Sequence, residues 1–228
     1  MALYAIGDPH LSLRSSKPMD VFGGAWKGYV EKLRQGFMHL RPEDTIVLCG
    51  DISWGMSLAE SEADFAFLES LPGKKIILKG NHDYWWTTAS KMQRFFNEHG
   101  FKTLSILHNN CFLYGDLALC GTRGWFFEED MKQTDQKVFN RELIRLETSL
   151  KAAKDREKIC FLHYPPCYQG YRCEPIIKLL EGYKVKCCYY GHLHGPSHSL
   201  AIQGNLGGVQ YRLVSADYLN FRPEKICD

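Results

Sequence analysis

The chain has 228 residues, of which 45% are hydrophobic and 24% charged, with a formal net charge of +2. That composition excludes intrinsic disorder, collagen-like repetition and a coiled rod, and the length is enough to bury a core without metals or disulfides. The near balance of charge provides no basic face for sequence-independent contact with phosphate backbones, so no nucleic-acid polymer is expected as a partner.

In chain order, the opening MALYAIGDPH lacks a basic region and a cleavage site and reads directly as a first strand over Leu3 to Ile6. A helical pattern over Ala25 to Leu40 stops before Arg41-Pro42, and a strand follows at Thr45 to Cys49. Helix Ser57 to Ser70 stops at Leu71-Pro72-Gly73, strand Lys75 to Leu78 follows, and helix Tyr84 to Glu98 stops at His99-Gly100. From Leu104 to Leu119 the apolar runs are close together, and Asn109-Asn110 and Gly115-Asp116 predict antiparallel hairpins. A long amphipathic helix is expected over Thr134 to Lys154, then strands at Ile159 to Leu162 and Lys186 to Tyr190, and a further hairpin run at Val209 to Val214.

The alternation implies an α/β core with some antiparallel strands, in one domain over residues 1–228, without internal repeat or linker. No stretch approaches the roughly 18 apolar residues of a membrane span, and a cytoplasmic location is expected. The nine cysteines are odd in number and form no CxxC pair. Cys49, Cys120, Cys160 and Cys187 fall in apolar runs and read as buried thiols; Cys167 and Cys173 flank a Tyr/Gly loop and are the one pair worth testing for metal or redox chemistry.

What ends each strand is more informative. Ligands of open α/β sheets bind beyond the carboxyl ends of the strands. Here those ends run into Gly7-Asp8-Pro9-His10, Gly50-Asp51, Gly80-Asn81-His82-Asp83, His163, and Gly191-His192-Leu193-His194. Each piece alone reads as a turn or a satisfied histidine. Five such pieces, each after an apolar strand, share no structural explanation, whereas carboxylate, amide and imidazole are metal-ligand types.

The ordered set DxH, GD, GNHD, H and GHxH resembles the calcineurin-like metallophosphoesterases, and the match spans most of the chain. The resemblance implies two mixed β-sheets packed face to face and flanked by helices. It implies two divalent ions in one site: Asp8, His10, Asp51 and His194 on the first, and Asp51, Asn81, His163 and His192 on the second, with Asp51 as the bridge. The ligand mix suits Mn, Fe, Zn, Co or Ni. Such a pair would activate a bridging hydroxide for attack on the phosphorus of a phosphomonoester or phosphodiester.

The resemblance assigns to His82 protonation of the leaving alkoxide or positioning of phosphate, with Asp83 as electrostatic support; the plainer alternative is a histidine capping the Tyr84 helix. The protein Ser/Thr phosphatases of this family extend GD into GDxVDRG, but here Trp54 and Gly55 replace its second Asp and its Arg, which speaks against a protein phosphatase. Phosphate would need another cation. Arg123, between Gly121-Thr122 and Gly124-Trp125, is the candidate, against the plainer reading of an exposed loop arginine. Aromatic residues beside the motifs, Trp54, Tyr84, Trp85, Trp86, Trp125 and Tyr164, suggest a small organic or nucleotide-like phosphoester. The competing possibility is a catalytically silent scaffold on the same fold. Oligomeric state is not legible.

Overall fold

The computed structural model describes residues 1–15, 17–127 and 131–228. Five strands form a first sheet: β1 (Leu3–Ile6), β2 (Thr45–Leu48), β3 (Lys74–Ile77), β4 (Leu104–Ile106) and, far along the chain, β13 (Glu224–Cys227), in the order β13-β1-β2-β3-β4. A second sheet contains β5 (Phe112–Tyr114), β6 (Leu117–Thr122), β7 (Glu157–Leu162), β10 (Val185–Tyr190), β11 (Gly204–Leu206) and β12 (Val209–Leu213), in the order β11-β12-β10-β7-β6-β5. The pairings β13/β1, β5/β6 and β11/β12 are antiparallel and all others in the two sheets, the outer pair β3/β4 included, are parallel. A short ribbon of β8 (Cys167–Tyr168) and β9 (Tyr171–Arg172) lies apart.

The sheets are buried on both faces, which is why their central strands read as unbroken apolar runs. Between them, Leu3, Ala5, Val47 and Cys49 from the first sheet pack against Leu119, Ile159, Phe161 and Tyr189 from the second. The opposite face of the first sheet is covered by helices α1 (Tyr29–Phe37), α2 (Glu62–Ser70) and α3 (Ala89–Glu98), through Leu33, Phe37, Phe65, Met92 and Phe96. Helices α4 (Gln133–Ala152) and α5 (Glu174–Gly182) cover the second through Phe139, Leu146, Leu150, Ile176 and Leu180. Each of these side chains contributes about 1.5–3 kcal/mol by leaving water. Together they make the framework rigid enough to hold strained loops at the strand ends. The expected face-to-face pair of mixed sheets flanked by helices is the observed architecture.

Several boundaries move for identifiable reasons. The expected Ala25 helix is split: a 3-10 turn covers Gly24–Trp26, Gly28 adopts φ 65°, and α1 starts only at Tyr29. In the Ser57 segment, Ser57 Oγ accepts from the Glu60 N–H at 3.2 Å and Glu60 Oε2 from the Met56 N–H at 3.0 Å, side-chain bonds that compete with helix until Glu62. The helix expected from Tyr84 starts at Ala89 and is capped by Thr88, whose Oγ1 accepts from the Lys91 N–H at 3.4 Å. His82 therefore caps no helix. Asn109-Asn110 joins the two sheets rather than two paired strands, while Gly115-Asp116 is the hairpin turn between β5 and β6. Helix α5 was not expected, because its Cys-Glu-Pro start resembles a loop.

Candidate metal centre

The carboxyl ends of β1, β2, β3, β7 and β10 meet at one edge where the two sheets adjoin. The Gly7 N–H donates to the Val214 carbonyl at 2.6 Å and the Asp8 N–H to that of Gly50 at 2.9 Å, so the loop after β1 is fastened to both sheets. Asp8, His10, Asp51 and His192 have φ of 56°, 45°, 52° and 74°, a left-handed conformation rare for non-glycine residues. Each costs of the order of 1–3 kcal/mol and persists only where surrounding structure enforces it. The loops approach one another closely. Gly50 has φ 84°, and a Cβ there would lie 2.7 Å from Gly80 Cα; a Cβ on Gly80 would collide with Asp51 N and Oδ1. Neither glycine can be replaced without displacing a ligand loop.

The side chains converge in two groups around Asp51. Asp51 Oδ2 lies 3.6 Å from His10 Nε2 on one side and 3.5 Å from His163 Nε2 on the other. Beyond His10, its Nε2 is 3.3 Å from His194 Nε2, which in turn is 3.9 Å from Asp8 Oδ1. Beyond His163, its Nε2 is 2.6 Å from Asn81 Oδ1 and 3.2 Å from His192 Nδ1. Ligand atoms about 2.1 Å from a common ion are themselves about 3–3.5 Å apart, and separations of 2.6 to 3.9 Å reach that spacing with small side-chain shifts. The candidate groups Asp8, His10, His194 and Asp8, Asp51, His163 each bring ligand atoms within 4.8 Å of one another. Asp8 Oδ1 is buried without a hydrogen-bond partner, an acceptor suited to a cation.

The imidazole tautomers follow from the outer contacts. His163 Nδ1 lies 3.1 Å from the Cys49 carbonyl, which can only accept, so the proton is on Nδ1 and the Nε2 lone pair is free. His194 Nδ1 lies 2.8 Å from Asp217 Oδ1 and donates to it, so that Nε2 is the atom left to bind a cation once the ring has lost its second proton. Burial holds His163 and His192 neutral, pushed down to about 3, and presses His10 well below its usual range. Burial raises Asp8 above the carboxylate range, with the neighbouring Asp51 adding to the rise and His194 opposing it; Asp51 is raised by burial too. Burial opposes charge on His194, but the Asp217 hydrogen bond and the charge of Asp8 outweigh it and raise this imidazole to about 9. Neutral imidazoles beside strained, desolvated carboxylates are a donor set for divalent cations.

The remaining sequence candidates fall around this core. The His82 N–H donates to Asp51 Oδ1 at 2.7 Å, and its ring lies against Trp54 at 4.4 Å with Nδ1 buried and unpartnered. The Asp83 carboxylate accepts from the backbone N–H groups of Gly80 and Ile52 at 2.7 and 2.8 Å and from Trp85 Nε1 at 2.9 Å. It ties the GD and GNHD loops together. Arg123 is not an exposed loop residue: Nη2 lies 3.3 Å from Glu142 Oε1, and the guanidinium covers Trp125 at 4.4 Å. Its carbonyl accepts from the N–H groups of His163 and Tyr164, which places it beside the second cluster.

Asp217 was not anticipated. Besides His194 it accepts from the Gly195 N–H at 3.0 Å and lies 3.2 Å from His198 Nε2. It lies beyond the carboxyl end of β12, in the zone where the strand-end rule places ligands but outside the ordered motifs. All nine cysteines are free, and among the described residues no candidate ligand group includes one, Cys167 and Cys173 included. Cys187 is only half-buried, whereas its neighbour Cys188 points into the core.

Residues 1–196 match a family model described as calcineurin-like phosphoesterase. A comparison with curated proteins finds no match. Among solved structures, the phosphopantetheinyl hydrolase PptH of Mycobacterium tuberculosis is similar at 14% identity and TM-score 0.61, over 99% of this chain and 95% of that one. The protein TT1561 of Thermus thermophilus is similar at 14% identity and TM-score 0.53, over 99% and 97%. The protein of unknown function AQ665 from Aquifex aeolicus is similar at 13% identity and TM-score 0.52, over 98% and 95%. At these identities the likeness concerns the fold.

Proposed function

Since this chain belongs to the calcineurin-like phosphoesterase family, we propose that it is a hydrolase of small phosphoesters that works with two divalent cations. The observation that carries this reading is the Asp51 carboxylate set between His10 Nε2 and His163 Nε2, at 3.6 and 3.5 Å. One cation would be held by Asp8, His10, Asp51 and His194 and the other by Asp51, Asn81, His163 and His192; Mn, Fe, Zn, Co and Ni all suit these donors. Bound there, two cations supply an activated water oxygen and offset charge on the phosphoryl oxygens.

The chain's own contribution is placement and a proton. His82, fixed at its backbone by Asp51 and at its ring by Trp54, is the group we assign to protonate the departing alcohol oxygen. Asp83 acts through the loops it fastens rather than on the phosphate. Arg123, held by Glu142 beside His163, would contribute positive charge to phosphate binding. The substrate is read as a phosphomonoester or phosphodiester of small size, in keeping with the cavity of about 390 Å³ beside the cluster. Free thiols throughout fit a reducing compartment such as the cytoplasm, and no helix among the described residues is long and apolar enough to cross a membrane.

The test is metal analysis after dialysis, combined with hydrolysis of a chromogenic phosphomonoester and a chromogenic diester in added Mn. About two bound ions with turnover of either substrate are expected. Bound metal without turnover would instead select the silent scaffold.

A further inference from the structure

Beside the His10/His194 cluster the structure contains a cavity of about 390 Å³. His10, His82 and His194 line it on the side of the candidate ligands, and Met19, Phe22, Trp26, Trp54, Gly195 and Pro196 complete its lining. The segment before α1 supplies much of this wall through a 3-10 turn at Met19–Phe22, in which Met19 is buried while Phe22 is 64% exposed at the mouth. Trp26 sets its edge against both His10 and His194, at 5.7 and 5.6 Å between ring centroids, and Trp54 stacks on His10 at 5.2 Å. Cavity and candidate ligands are therefore one continuous construction.

The walls are chemically one-sided. Apart from the three histidines, the described residues lining the cavity offer no carboxylate, carboxamide, hydroxyl or guanidinium side chain. Trp54 Nε1 is already directed at Met19 Sδ, 3.1 Å away. With only the three histidines and the Trp26 indole N–H to answer it, a nucleobase or a polyol placed here would recover few of the hydrogen bonds it gives up to water, a cost that apolar contact does not offset. A hydrocarbon group loses nothing and gains the burial of its surface. His82 lines the cavity beside the candidate ligands His10 and His194, where an alcohol oxygen attached to a group in the cavity would lie.

We infer that this cavity receives the alcohol portion of the substrate, and that the substrate class is the phosphoester of an apolar alkyl or aryl alcohol rather than a nucleotide or sugar phosphate. This rests on the phosphoesterase reading and narrows it. In the reaction the bond from phosphorus to the apolar alcohol's oxygen breaks, that oxygen leaves with a proton from His82, and water supplies the new oxygen on phosphorus. Phe22, Trp26 and Trp54 set specificity through the walls they form.

The experiment uses the metal-loaded protein with benzyl phosphate, glycerol 3-phosphate and adenosine 5′-monophosphate. Benzyl alcohol and the primary hydroxyl of glycerol are similar leaving groups, so their ratio reads the pocket. The expected kcat/KM for benzyl phosphate exceeds the other two by about tenfold or more, and Phe22→Asp brings the ratio down towards one, mainly by raising KM for benzyl phosphate. A ratio near one in the wild-type protein, or one that Phe22→Asp leaves unmoved, overturns the inference. Calorimetric binding of benzylphosphonate against methylphosphonate, neither of which is hydrolysed as an ester, gives a second readout. Benzylphosphonate is expected to bind about tenfold tighter; equal or absent binding of the two overturns the pocket. Preferential binding of benzylphosphonate without hydrolysis of any ester leaves the pocket standing and overturns the hydrolase reading.

Discussion

His163 and His194 both extend from the second sheet into the same centre, yet they are built differently. His163 is fully buried, hydrogen-bonded through Nδ1 to a backbone carbonyl, and held neutral by burial. His194 has a side chain 30% exposed, is paired through Nδ1 with the Asp217 carboxylate, and titrates far higher. A carbonyl fixes orientation and contributes only a dipole; a carboxylate fixes orientation and adds basicity. One side of the centre is locked through a backbone carbonyl, while the other is tuned by charge and opens onto the aromatic cavity. Placing the leaving group on the open side leaves the locked side free to hold its geometry.

His82 stands against Trp54 on the open side, so its substitution should produce the largest change. His82→Ala is expected to lower kcat by about 10²–10⁴-fold while bound metal, measured by mass spectrometry, stays constant. Asp217→Ala attacks the open side from behind. Metal affinity there should fall by about 10–100-fold, with one ion lost before the other in a chelator titration and partial recovery in Asp217→Asn. A loss shared equally between both ions would erase the distinction drawn between His163 and His194.

The pH dependence sharpens the same contrast. His163 and His192, held at about 3, are neutral between pH 6 and 8 and have no second proton to lose, whereas His194, raised to about 9, and the raised Asp8 carry protons that a cation must displace. Affinity on the open side should therefore fall by about tenfold or more per pH unit on acidification, and more shallowly on the locked side. Calorimetry in buffers of different ionisation enthalpy reports the protons released. The smallest effect is expected from Arg123→Ala: KM for a phosphomonoester rises by about fivefold, the equivalent of one modest hydrogen bond, with little change in kcat.

Much of the centre was legible because its chemistry sits at fixed places in a repetitive framework. A buried parallel strand announces itself as an apolar run, and the residue beyond it is where ligands gather, so Asp8, Asp51, Asn81, His163 and the His192/His194 pair could be read together. Asp217 obeys the same rule after β12 but lies outside the matched motif order, and a single aspartate after an apolar run carries no pattern of its own. Trp26 was read only as part of a helix. Its role depends on the break at Gly28, a backbone event that side-chain periodicity does not encode. The late start of α3 has a similar origin, since Trp85 follows the Asp83 carboxylate instead of the helix. Arg123 was legible as a cation, but Glu142, its partner from α4, is a tertiary contact between residues 19 apart in sequence.

The loop after β1 is bonded to β12's exit through Gly7 and Val214 and to β2's exit through Asp8 and Gly50. His163 of the second sheet likewise reaches the Cys49 carbonyl of the first at 3.1 Å. Any ion held between Asp51 and His163 would thus behave as a rivet through two plates. Its withdrawal would be felt along a seam, as faster amide exchange at Gly7 and Ala216, whose N–H groups cross it, before either plate itself came apart.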